Sequence, residues 1–114
     1  MPKLPTSVRI GWLDYSVEEW PALEALSDGK EGDCDKSNSV IRVCTAYGPL
    51  RSAEVLLHET IHACWDMGSL GGRESEERVA TVLAKQLAQV WRDNPRLVEF
   101  ISQSLSVPSN KAKR

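Results

Sequence analysis

No stretch of this 114-residue chain approaches the about 20 consecutive apolar residues that cross a bilayer. The opening segment Met1-Pro2-Lys3-Leu4-Pro5 also lacks the apolar run of a secretory signal. Cysteine is scarce: Cys34, Cys44 and Cys64 are an odd number, and none forms a C-x-x-C pair. A disulfide framework is therefore not expected, and free thiols in a reducing cytoplasm are. There is no excess of positive charge either, since the net charge is −2. That leaves no broad basic face for nucleic acid. The one basic cluster, Lys111-Ala112-Lys113-Arg114, follows Pro108-Ser109-Asn110 and reads as a solvated, disordered tail. The four tryptophans have no interleaved basic residues, so they make no stacking array for single strands. Trp12, Trp20 and Trp91 are expected in the core.

What remains is an ordinary globular composition, 41% hydrophobic and 26% charged. It predicts one domain over residues 1–107 followed by the basic tail 108–114. Val8, Ile10 and Trp12 alternate along a strand from Ser7 to Leu13. Ser16 and Glu19 match a capping box, predicting a short helix that Pro21 shortens or restarts. After the turn signal Asp28-Gly29-Lys30-Glu31-Gly32, a hairpin is expected from Asp33–Asp35 and Val40–Thr45, joined at residues 36–39. Tyr47-Gly48-Pro49 breaks the second strand and opens a helix.

Three helices should follow. The first, from about Leu50 to Trp65, carries the stripe Leu50, Ala53, Leu57, Ile61 and Cys64 and ends at Gly68. The second, from about Arg73 to Arg92, carries Val79, Val82, Leu83, Leu87, Val90 and Trp91. The third starts at Asp93-Asn94-Pro95, with proline at its first position. This order predicts an α+β domain with helices packed on one face of a small sheet.

Histidine occurs only twice, and both copies fall in His58-Glu59-Thr60-Ile61-His62. On a helix, residues four apart share a face, so His58 and His62 can hold one metal ion. Glu59, about 100° round the axis, can reach a water beside it as general base. Catalytic zinc normally takes three protein ligands. With no third histidine and no paired cysteine, the missing ligand should be a carboxylate. Asp66 lies about 12 Å along the helix from His58, too far to share one ion, and suits the role of partner to the His62 ring. Glu74, Glu76 and Glu77 follow the glycine-rich turn and can be aimed back at the ion. Glu77 is favoured, because Ala80 and Ala84 on its stripe would let the second helix approach the first; Glu76 and Glu74 are the alternatives. Cys64 points away from the ion and is expected as a core thiol. Trp65 shares the His58 face and suits either a cleft wall or the core.

The run Leu56-Leu57-His58-Glu59-Thr60-Ile61-His62-Ala63, followed by Glu77-Arg78-Val79-Ala80, resembles the gluzincin-type zincin metallopeptidases. It is most similar in pattern to small ImmA/IrrE-like and SprT-like domains, including compact HExxH proteins of phages and prophages. Gly32–Asp35 and Val40–Val43 resemble the hairpin before their active-site helix, whose strand edge can hold a peptide. The likeness covers about residues 32–90. It implies a zincin-like α+β fold, a Zn2+ cofactor, peptide-bond hydrolysis, a protein or peptide substrate and a cytoplasmic place in a bacterial or phage-infected cell. An extended substrate would be aligned on the strand around Val40 to Thr45. Relatives often add a histidine or tyrosine that polarises the substrate carbonyl. Here Tyr47 and Arg73 are the candidate donors. If they do not serve, a zinc-stabilised interaction or regulatory domain with little turnover is the alternative.

Overall fold

A computed structural model of the chain describes residues 2–106, so the basic tail 108–114 lies outside the described residues. Val8 and Ile10 point inward from the first strand, β1 (Ser7–Ile10). The chain reverses at Gly11-Trp12 and returns as β2 (Leu13–Glu19), antiparallel to β1 with Val8 opposite Tyr15. The expected single strand to Leu13 is thus shorter, and the capping-box helix at Ser16 is a strand. Tyr15 and Val17 alternate with polar neighbours and bury their side chains, and this two-residue period outweighs the local cap signal. A helix, α1 (Ala22–Asp28), begins only after Pro21. It covers a small satellite core of Trp20, Ala25 and Cys44.

The hairpin forms where its turn chemistry places it, as β3 (Gly32–Asp35) and β4 (Val40–Val43), with Cys34 opposite Ile41. Asp35 ties the turn by accepting hydrogen bonds from Asn38, 3.1 Å from the backbone nitrogen and 2.9 Å from the side-chain amide. β4 also pairs in parallel with β2, giving a mixed sheet in the order β1-β2-β4-β3. This corrects one expectation about substrate alignment. β4 has a neighbour on each side and offers no edge; the edges are β1 and β3, and β3 is the one that lies more closely on the helix of the two histidines.

A short 3-10 turn at Thr45–Tyr47 leads into α2 (Pro49–Met67), with Pro49 in its first turn and Gly68 closing it. α2 packs on β1, β3 and β4, α3 (Glu76–Asp93) on β1 and α2, and α4 (Pro95–Ser106) on α2 and α3. Ser75 caps α3 by accepting from the Arg78 backbone at 3.1 Å, so the helix starts at Glu76, three residues later than the expected Arg73. The shared core takes Ile41 and Val43 from the sheet, Leu56 and Ala63 from α2, Val90 from α3 and Leu97 and Phe100 from α4.

Side chains depart from expectation in two places. Trp12 is 74% and Trp91 44% exposed, so only Trp20 of the three is core. On α2 the buried line runs through Ala53, Leu56, Thr60, Ala63 and Cys64, while Leu50 and Ile61 are exposed. The inward face is therefore turned from the expected stripe. That rotation puts Glu59 under the sheet edge and leaves both histidines outside.

Candidate metal centre

His58 and His62 stand one helical turn apart on the exposed side of α2, their rings edge to face with centroids 4.8 Å apart. Their two Nε2 atoms are 3.2 Å apart. Zinc holds imidazole nitrogens at about 2.0–2.1 Å in a tetrahedron, which sets two of them about 3.3 Å apart. The pair fits one such ion. Without an ion, the same spacing lets one ring donate an N–H to the lone pair of the other.

Glu59 completes the cluster. Its carboxylate and the two imidazoles have ligating atoms within 4.8 Å of one another, and this is the one such group of three among the described residues. Glu59 is 7% exposed, held between α2 and β3. A Cβ on Gly32 would stand 3.4 Å from Glu59 Oε2, so the glycine lets the strand lie directly over the carboxylate. Burial pushes the Glu59 carboxyl above the ordinary carboxylate range, the positive forms of His58 and His62 oppose the shift, and the Asp33 charge adds to it. A buried carboxylate with raised basicity, beside a place where a cation fits, is suited to accept a proton.

The cluster opens into a cleft of about 560 Å3 between α2 and the β3 edge, with Lys30, Cys34, Lys36 and Arg51 among its walls. A second, apolar hollow on the other side of the histidines is walled by Ile61 and Trp65. Trp65 thus walls this second hollow and not the cleft.

The carboxylates of α3 stand apart from this group. Glu77 is exposed, as are Ala80 and Ala84, which were expected to face α2. Val82 takes that place: a Cβ added to Gly68, at the end of α2, would fall 2.4 Å from it. Glu74 accepts a hydrogen bond from the Gly71 backbone at 2.8 Å and pairs with Arg78 at 2.9 Å. Glu74, Glu76, Glu77 and Asp66 are outside the three-residue cluster. Tyr47, 52% exposed, and Arg73 line neither hollow beside the histidines.

All three cysteines are free, and Cys64 is a buried core thiol. Cys34 faces the cleft, and burial first, then the Glu59 charge, pushes its thiol up to about 11. Sequence reasoning passed over Lys30, Lys36 and Arg51. Only the pairing of β3 against α2 gives them a common wall, and no local motif signals that pairing. Among the described residues no helix is long and apolar enough to cross a membrane. Comparison with protein-family models, curated proteins and solved structures returns no match for this chain.

Proposed function

We propose that the chain is a zinc-dependent hydrolase of peptide bonds, of the zincin kind, with His58 and His62 as metal ligands and Glu59 as general base. The observation that carries this reading is the 3.2 Å approach of the two Nε2 atoms, beside a buried carboxylate that neither imidazole needs for its own structure. Zinc held there supplies Lewis acidity, polarising a carbonyl and acidifying water. Glu59 takes the proton of the attacking water and returns it to the departing amine, acting in turn as base and acid. Its placement under Gly32 keeps the carboxylate fixed and shields it from bulk solvent, which favours proton transfer at a defined position. For the third ligand the proposal keeps a carboxylate of α3, with Glu77 favoured and Glu76 and Glu74 as rivals; all three stand apart from the histidines in this structure, so α3 would have to move towards α2 for any of them to reach the ion.

Glu59→Gln tests the reading. The variant should fold and keep its metal, yet lose about 10²–10⁴-fold in peptide hydrolysis, the usual contribution of a positioned base. Hydrolysis that survives the change is not performed at this site.

One observation favours a second reading, a zinc-stabilised interaction or regulatory domain with little turnover. Tyr47 and Arg73, the expected donors to a developing oxyanion, are absent from both hollows around the histidines. In that case Glu59→Gln leaves the measured function unchanged while His58→Ala removes it.

A further inference from the structure

The cleft wall carries a charge pattern that the chemistry of the metal centre does not require. Asp33 is bound by Arg42, whose Nε donates to it at 2.9 Å. Glu31 and Glu54 are both held by Arg51, which donates to Glu31 at 2.8 Å. Among the described residues no carboxylate lies within ion-pair distance of Lys30 or Lys36. Both lysines are exposed, both line the cleft, and they sit just beyond the two ends of β3.

β3 is an edge strand, and its register says which backbone groups are open. The Glu31 carbonyl accepts from the Cys44 backbone at 2.8 Å, and Asp33 is opposite Arg42. Odd-numbered residues therefore bond to β4, and the N–H and C=O groups of Gly32 and Cys34 point out along the free edge. A chain added there finds a backbone ladder in the middle and a cation at each end. Lys30 to Lys36 is six residues, at most about 20 Å of extended chain at about 3.3 Å per residue.

Pairing of a peptide on such an edge is what the zincin resemblance implies; beyond it, we propose that Lys30 and Lys36, at the two ends of the edge, select an extended peptide carrying acidic side chains near both of its ends, so that the substrate class is an acidic strand. The proposal rests on the hydrolase reading only for the statement that the bound strand is cut. Lysine at the rim acts through steering and register, with a modest share of the affinity and a marked response to salt.

Fluorescence anisotropy tests it, on zinc-supplemented wild type and on Glu59→Gln. The probes are labelled extended peptides with Asp or Glu near both ends, and twins with Asn or Gln there. The acidic peptide should bind more tightly by up to about fivefold per lysine engaged, the upper range of an exposed ion pair, and the advantage should fall at high salt. Lys30→Glu and Lys36→Glu, both at exposed positions, should each reverse the preference at one end of the peptide, while Lys85→Glu on α3 leaves it unchanged. Equal binding of the twins, the same effect from Lys85→Glu, or tighter binding of a single-stranded oligonucleotide would overturn the proposal. Charge-selective binding without cleavage supports it while sinking the hydrolase reading. Cleavage without charge selection does the reverse.

Discussion

Gly32 and Glu59 are in near contact across the β3–α2 interface: a methyl on the glycine would reach to 3.4 Å from the carboxylate oxygen, 2.4 Å from Val55 Cγ1 and 2.9 Å from the Arg42 carbonyl. The last two distances leave no room for any side chain. Gly32→Ala should therefore displace β3 from α2 and destabilise the fold by about 1–3 kcal/mol, as overpacking does. Chemical denaturation measures this. Unchanged stability would mean that the strand lies farther from the helix than described here.

Asn94 joins the two ends of the fold. Its Oδ1 accepts from the Arg9 backbone at 2.7 Å, and its amide donates to the Arg9 carbonyl at 2.9 Å and to the Val90 carbonyl at 2.8 Å. Asn94 is 8% exposed, and Asn94→Ala takes the side-chain partner from the Arg9 N–H and from the Val90 carbonyl, while the Arg9 carbonyl keeps the Gln89 amide at 3.1 Å. A loss of about 1–3 kcal/mol is expected in thermal or denaturant unfolding. A loss below about 0.5 kcal/mol, typical of surface changes, would contradict the bonding described.

That residue also shows what a sequence can disclose. Asp93-Asn94-Pro95 marks the start of a helix on local grounds, and α4 begins at Pro95. The reach of Asn94 to Arg9, 85 positions away, has no local signature. The same division runs through the molecule. The hairpin at β3 and β4 was legible because turn residues and β-branched runs act over a few positions. Ser16–Glu19 carries a cap signal and a strand signal on the same residues, and only pairing with β1 and β4 decides for the strand. At the site, His58, Glu59 and His62 were legible because helical periodicity alone brings them together. The face that α3 turns to α2 was not: Val82, and not Ala80 or Ala84, meets Gly68, a choice made by packing across the loop.

Asp93 offers a pH test. Hydrogen bonds from Arg92 first and Gln89 second hold its carboxyl down to about 2. A carboxyl whose folded pKa is depressed contributes stability above its unfolded value near about 4, and loses that contribution as pH falls towards the folded value. The stability gap between wild type and Asp93→Asn should therefore be constant above about pH 5 and close between about pH 4 and 2. The partners are solvent-exposed, Arg92 at 76%, so the gap should be small and should shrink with added salt. A gap that widens on acidification would contradict the assignment.

Alanine at each of Glu74, Glu76 and Glu77 locates the third ligand. Glu77→Ala should weaken zinc binding by more than the about 10–100-fold typical of changes beyond the ligand shell. Glu74→Ala should mainly loosen the Gly71 turn, because that carboxylate is already engaged by Gly71 and Arg78. Competition with a chromophoric chelator reads the three affinities. Equal losses would point to a general charge effect, and a dominant loss at Glu74 or Glu76 would move the ligand to that residue.

The most direct test of the central claim is metal content. Protein purified without chelators or added zinc should carry close to one zinc per chain by elemental analysis, and His58→Ala or His62→Ala should each abolish it. Wild type without metal, or a double His58→Ala, His62→Ala variant that retains it, would contradict the account.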